Sequence, residues 1–413
     1  MSKLHIQAPA EGKIYGEIYL EGSKSISNRA LIINALTGNK TKLEGLASAE
    51  DTHVLQQALS QLPPEINIGH AGTSMRFLTA FLACQNLGTF ALTGSSRMLQ
   101  RPIGILVDAL NFLGADIQYL QQKNFPPLQI NGKKLRGGTI QIQADVSSQY
   151  ISALLMMAPL MQNGLRLQLQ GNMVSQPYIA LTLHLMKMYG VEAIWQKNEI
   201  YVPPQSYQYV ETLKIEADWS AAAYYFSLTS LAKDAQIVLH GLQQQSHQGD
   251  AAVAQLYEKL GVAHYFSGEK LVLQKSTEHV GDSFFYNFIN CPDIAQTVLV
   301  SCAALGIKTF AEGLQTLRIK ETHRTKALQN ELAKIGKHLQ FDEHSASLEK
   351  GLPQYSSELD FATYQDHRMA MSFAPLALRC PQGINIMDYE VVKKSYPNFW
   401  DDMQTCGMKI TPL

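Results

Sequence analysis

The sequence predicts an α/β protein built as two globes of repeated units, and three observations lead there. Six nearly all-apolar helices recur along the chain, each opening just after a short polar cluster at a strand end. A second series of helices interleaves with them and closes at Gly114, Gly190, Gly261, Gly336 and Gly407. Both series step by about 75 residues, apart from one shorter interval that opens the first series, which marks an internal repeat.

The polar clusters of the first series lead with Lys24 (GSKSISNRALIINAL), His70, Ser147, Asp218, Asp293 and Asp366. A helix that is apolar on every side has to be buried. The second series reads as amphipathic in RPIGILVDALNFLG, QPYIALTLHLMKMYG, GDAAVAQLYEKLG and KETHRTKALQNELAKIG; SYPNFWDDMQTCG is shorter and less regular. A closing Gly suits a left-handed C-cap. Short β-type runs such as KLEGL, FALTG, LRLQLQG and QIVLHGL lie between the helices. Hairpin-like pairs such as ADIQYL with LQING follow the closing glycines. Six copies divide into two globes of three. The first copy is truncated: AEDTHVLQQALSQL runs into Pro63-Pro64 and almost at once into the His70 turn, with no hairpin. A strand in residues 1–18 could complete either globe. A cleft between two such globes is a favoured place for a ligand.

Bulk numbers narrow the function classes. The 413 residues are 46% hydrophobic and 17% charged, which fits a globular protein. Lys+Arg is 34 against Asp+Glu 35, so no global field favours nucleic acid or an anionic membrane. Any anion site must be a local cluster. MSKLHIQAPAEGK lacks the apolar core of a signal peptide, and no apolar run is long enough to span a bilayer. The expected location is the cytoplasm. Five cysteines with no Cys-x-x-Cys spacing read as reduced thiols without structural zinc.

Local clusters supply the chemistry. Gly22-Ser23-Lys24-Ser25-Ile26-Ser27-Asn28-Arg29-Ala30 joins a strand to a helix. A helix start offers backbone N–H groups and the positive dipole end to an anion, and Lys24 and Arg29 add full charges. A Ser-capped helix with two solvated cations fits that stretch about as well when it is taken alone. Arg97 to Arg101 precedes a helix, where a solvated Arg is the commoner reading. Lys320, Glu321 and Arg324 fall within one expected helical turn, which an exposed ion pair would also explain. Arg368, at the start of an apolar helix, needs an anionic partner such as Asp366. Lys393-Lys394 could be exposed, and Asp293 alone reads as an N-cap. Together the clusters suit two phosphorylated anions plus acid–base chemistry. No metal-ligand spacing or dinucleotide fingerprint is present.

These residues carry a resemblance. GSKSISNRA, HAGTSMR, RPIG, SSQ, SQPYI, DWSAAAY, PD, RIKETHR, DHRMAM and KSYPNF, in that order, resemble the 5-enolpyruvylshikimate-3-phosphate (EPSP) synthase family end to end. The resemblance implies an inside-out α/β barrel-like pair of globes made of βαβαββ units. Residues 1–18 with 218–413 would form the C-terminal globe and 19–217 the N-terminal globe, with the active site in the cleft between them. The implied reaction moves the enolpyruvyl group of phosphoenolpyruvate onto the 5-hydroxyl of shikimate 3-phosphate through a tetrahedral intermediate, releasing phosphate. It needs no metal and no cofactor. The implied partners are these two small molecules, with no nucleic acid and no membrane; a monomer is expected.

By the same resemblance Lys24, Gly72, Thr73, Arg101, Gln149, Arg324, Arg368 and Lys394 bind phosphoenolpyruvate. Lys24, Ser25, Arg29, Ser147, Ser148, Gln149, Ser175, Tyr178, Asp293, Thr316 and Lys320 hold shikimate 3-phosphate. Asp293 is implied as the base on the 5-hydroxyl, with Lys24 and Glu321 as proton-handling groups. Three positions depart from the pattern: His70 and Thr316 stand where the family has Asn, and His323 where it has Asp. The sister family acting on a UDP-sugar carries a loop Cys before its Arg-Pro, whereas this chain reads SSRMLQRP. A relative that only binds anions would not need Asp293, Glu321 and Lys24.

Overall fold

The computed structural model describes residues 2–145, 147–278, 280–320, 322–356 and 358–413. Its α-helices are α1 (Lys24–Leu36), α2 (Glu50–Gln61), α3 (Gly72–Cys84), α4 (Gly104–Phe112), α5 (Ser148–Met157) and α6 (Gln176–Met188). They continue with α7 (Trp219–Leu231), α8 (Val253–Glu258), α9 (Ala295–Leu305), α10 (Arg324–Ala333), α11 (His367–Phe373) and α12 (Phe399–Thr405). Odd and even members are the two series expected from the repeat. The odd helices are buried almost throughout, as their composition requires. All five closing glycines have positive φ, from 69° at Gly336 to 108° at Gly114.

The chain forms two compact units, Met1–Gly22 with Glu216–Leu413, and Ser23–Ile215. The expected cuts at 18/19 and 217/218 fall slightly elsewhere. The strand Lys13–Tyr19 runs on past residue 18, and Gly22 bridges Ala217 inside the first of these units.

Five sheets share one plan: a parallel strand pair, then an antiparallel pair joined to its second strand. In the Ser23–Ile215 unit, Glu65–Asn67 lies parallel to Thr89–Thr93, and Leu128–Asn131 and Asp116–Tyr119 complete the sheet. Gly138–Gln143 and Leu165–Gln170 repeat this with Glu199–Val202 and Ile194–Gln196. The third sheet is only Thr212–Lys214 parallel to Lys42–Glu44, as the truncated first copy predicts.

In the other unit the N-terminal segment supplies two strands. Lys3–Gln7 sits between Ile384–Met387 and Lys409–Pro412 and completes the sixth copy's sheet. Lys13–Tyr19 lies parallel to Asp234–His240. The strand that precedes α1 in the chain thus does the pairing that a strand before α7 would do in an unbroken repeat.

The core of this unit packs α7, α9 and α11 together. Two hydroxyl pairs link them: Ser227 Oγ lies 2.8 Å from Ser301 Oγ, and Thr297 Oγ1 lies 2.9 Å from Ser372 Oγ. Each pair spares two buried hydroxyls the cost of an unmet hydrogen bond. All five cysteines are free thiols. Among the described residues no helix is long and apolar enough to cross a membrane.

Candidate active site

In the C-terminal unit, three odd-series helix starts and the approach to α10 converge on one cluster of charges. Asp293 lies two residues before α9, whose N-cap is Ile294, so it is not the cap expected from sequence alone. Its carboxylate meets cations instead. Lys320 Nζ lies 3.2 Å and Arg324 Nη1 3.5 Å from Oδ1, and Arg368 Nη2 lies 3.0 Å from Oδ2.

Arg324 is 1% exposed, far from the solvated ion pair its sequence neighbours suggest. It donates from Nε to Asp366 Oδ2 at 2.7 Å and from Nη2 to Oδ1 at 3.3 Å. This two-point pairing compensates a buried guanidinium. Asp366 also caps α11, accepting from Arg368 N at 2.9 Å. Arg368 itself pairs through its side chain with Asp293.

The expected helical turn over Lys320–Arg324 is not there. A 3-10 turn covers Gln315–Ile319, Lys320 is extended, and α10 begins at Arg324. The His323 ring Nδ1 accepts from Lys326 N at 3.4 Å, and that cap sets the start. Glu321 lies outside the described residues. Thr316 is buried, and its hydroxyl has no hydrogen-bond partner among the described residues. Lys394, on the 3-10 turn Tyr389–Lys394, donates to Gln365 O at 2.9 Å.

Behind Arg368 stands a group the sequence did not single out. Arg368 Nη2 reaches Ser220 Oγ at 3.5 Å, and Ser220 Oγ donates to Asp250 Oδ2. Asp250 Oδ1 is buried with no partner among the described residues. Burial, with the Asp293 carboxylate adding to it, pushes the Asp250 carboxyl up to about 7.

In the N-terminal unit the predicted residues form smaller groups. Lys24, the first residue of α1, pairs with Asp51 at 3.1 Å. Arg29, one turn on, is 2% exposed. It donates to Thr182 Oγ1 (2.7 Å), Ser25 O (2.9 Å), Ser152 Oγ (3.0 Å) and Tyr178 O (3.5 Å), and its Cζ lies 5.3 Å from the Phe77 ring centroid. Burial lowers its pKa to about 10, so it stays charged at neutral pH. Ser147 caps α5 by accepting from Gln149 N at 3.3 Å, and Gln149 Nε2 donates to Thr73 Oγ1 at 3.0 Å. Ser148 opens α5, and Ser175 precedes α6 at φ 56°. Gly72 opens α3 without a positive φ. A Cβ built there would land on Arg101 Nη1 and 2.9 Å from its Cζ. Gly72 is therefore small because the Arg101 guanidinium lies against its Cα, not because of its backbone angle.

A family model described as EPSP synthase (3-phosphoshikimate 1-carboxyvinyltransferase) matches residues 9–67 and 63–403. The chain belongs to the EPSP synthase family. A Bacteroides fragilis protein named 3-phosphoshikimate 1-carboxyvinyltransferase is 44% identical over 405 residues, covering 97% of each chain. A Vibrio campbellii protein of the same name is 36% identical over 421 residues, covering 95% of this chain and 97% of its own. The solved EPSP synthase structure from Acinetobacter baumannii shares the fold at TM-score 0.79 and 19% identity, over 100% of both chains.

Two of the departing residues, His70 and His323, have local partners. His70 Nδ1 lies 2.9 Å from Ser95 Oγ, so the ring is engaged beside the start of α3. His323 caps α10 through its ring Nδ1. Sequence reasoning missed Asp51, Ser220 and Asp250. Lys24 and Asp51 are 27 positions apart and follow no helical or strand spacing. Asp293 and Arg368 were legible in principle. They stand 75 residues apart, one repeat, as do the hydroxyl pair Thr297 and Ser372.

Proposed function

We propose that the chain transfers the enolpyruvyl group of phosphoenolpyruvate to the 5-hydroxyl of shikimate 3-phosphate and releases phosphate, a step toward chorismate. The observation that carries this reading is a carboxylate, Asp293, ringed by Lys320, Arg324 and Arg368 on a chain that matches the family nearly end to end.

The chemistry follows from those residue types. The 5-hydroxyl oxygen adds to C2 of phosphoenolpyruvate while C3 takes a proton. The tetrahedral adduct then loses phosphate from C2 and a proton from C3. Asp293 is the group that takes the hydroxyl proton, since a base must lie within hydrogen-bond reach. Lys24 and Glu321 handle the proton at C3. The adduct, like phosphoenolpyruvate, carries phosphate and carboxylate on one carbon, so fixed cations are needed to hold that charge in place. Gly72, Thr73, Arg101, Gln149, Arg324, Arg368 and Lys394, with Lys24, bind phosphoenolpyruvate. Ser25, Arg29, Ser147, Ser148, Gln149, Ser175, Tyr178, Thr316 and Lys320, with Lys24 and Asp293, hold shikimate 3-phosphate. The enzyme works as a cytoplasmic monomer.

Phosphate release tests the reading. Incubated with phosphoenolpyruvate, the protein should release phosphate only when shikimate 3-phosphate is added. Release with a UDP-sugar acceptor instead, or with no acceptor, would overturn it. Asp293→Ala should lower kcat by about 10²- to 10⁴-fold while shikimate 3-phosphate affinity stays within about tenfold.

A further inference from the structure

Lys394, Arg368 and Arg324 come from three segments, and one short turn touches all of them. Thr363 to Asp366 connects the strand Asp360–Phe361 to α11. Within it Tyr364 has φ 53° and Gln365 φ 60°. Neither is glycine, and two successive left-handed residues with a Cβ are unfavourable unless their surroundings impose them.

The turn has two products. It aims the Gln365 carbonyl at Lys394 Nζ, 2.9 Å away. It also closes with Asp366 N donating to Thr363 O at 2.9 Å, which sets the carboxylate that grips Arg324 and caps Arg368.

The carboxylate bonded to the turn is Glu331, on the second turn of α10 and 1% exposed. Its Oε1 accepts from Tyr364 OH at 2.7 Å, and its Oε2 accepts from Ala362 N at 2.9 Å and from Lys334 Nζ at 2.6 Å. Asn330 Nδ2 adds a contact to Tyr364 OH at 3.4 Å. Both carboxylate oxygens are thus spent on the turn and on the lysine that offsets the charge. Lys334 Nζ also donates to Asp360 O, just before the turn.

We infer that Glu331 is a positioning residue: through the left-handed turn at Tyr364 and Gln365 it sets Lys394, and through Asp366 it sets Arg324 and Arg368, for the anion that carries the enolpyruvyl group. The inference rests on the assignment of those cations to phosphoenolpyruvate. A carboxylate that merely stapled α10 to a loop would have no need of a strained turn.

Steady-state kinetics with both substrates separate the two roles. Glu331→Gln keeps the shape but turns an N–H₂ toward donors and loses the lysine pair. Its KM for phosphoenolpyruvate should rise about tenfold while KM for shikimate 3-phosphate stays within about twofold. Tyr364→Phe, which removes one bond only, should move the same KM by about threefold. Gln365→Gly, which suits φ 60° and keeps the carbonyl, should hold or raise the melting temperature and leave that KM within about twofold. If Glu331→Gln does not fold, the other two variants still decide. On a Lys394→Met background the part of the Tyr364→Phe effect that runs through Lys394 should disappear.

Equal changes in both KM values, or a lowered melting temperature with KM for phosphoenolpyruvate unmoved, would overturn the positioning role. Additive effects on the Lys394→Met background would overturn the route through that lysine. A wild-type protein that transfers nothing from phosphoenolpyruvate would instead overturn the functional reading, and this inference with it.

Discussion

Arg29 and Arg324 are both buried arginines at or near the start of a helix, and they are held in opposite ways. Arg324 faces two carboxylates, Asp366 and Asp293. Arg29 faces two hydroxyls, two carbonyls and the Phe77 ring. The first site is close to neutral before any ligand arrives. The second keeps a whole positive charge among dipoles, which are already oriented and need not be displaced. A charge compensated by carboxylates is the more strongly coupled to the fold; a charge cradled by dipoles meets an anion with no carboxylate to displace.

The sharpest way to break this contrast is to remove each guanidinium. Arg324→Met leaves Asp366, 0% exposed, without its partner, and should lower unfolding free energy by about 3–5 kcal/mol in a denaturant titration. Arg29→Met leaves Ser152 Oγ and Thr182 Oγ1 still 2.8 Å apart and bonded to each other. It should cost only about 1–2 kcal/mol, yet raise KM for shikimate 3-phosphate more than about tenfold. Equal losses of stability in the two variants would erase the difference between the sites.

A second test lies in the surplus of anions around Arg368. The Asp250 carboxyl is at about 7 when folded, against an ordinary 3.8. At low pH both states carry the proton. Between 3.8 and about 7 the unfolded chain gives it up first, so the folded state loses stability as pH rises through that window. Asp250→Asn, shaped like the protonated acid, should raise the melting temperature at about pH 8 and match the parent near about pH 4. A gain that ignores pH would show that packing, not charge, is relieved.

Smaller effects sharpen the picture. Gly72→Ala pushes aside the end of a flexible Arg101 side chain, so the melting temperature should move by no more than about two degrees. KM for phosphoenolpyruvate should still rise several-fold. An unchanged KM would remove Arg101 from that site. His323→Asp adds a charged cap to α10 and should stabilise the protein by about 0.5 kcal/mol, read by melting. A loss there would mean that the ring does more than cap.

Much of this was legible before the structure. The truncated first copy reads from Pro63-Pro64, and the sheet it leaves is the two-stranded one. The candidate site was legible as residue types at helix starts, and less so as contacts. Asp293 looked like a cap and Arg324 like a solvated ion-pair member, because local spacing reports only neighbours on one element.

The sequence by itself determined the repeat, the burial of the odd helices and the glycine caps. Each depends on apolar periodicity or on backbone conformation within a few residues. It also placed cations and carboxylates at repeat-equivalent helix starts. Tertiary structure alone decided which of them meet. Arg324 and Asp366 lie 42 residues apart, and Lys24 and Asp51 lie 27 apart, separations with no local rule. It alone also gave Gly72 its reason, because the Arg101 side chain beside that Cα arrives from another segment. Long side chains reach across elements, and where they end is fixed by packing and charge compensation, which no one-dimensional pattern records.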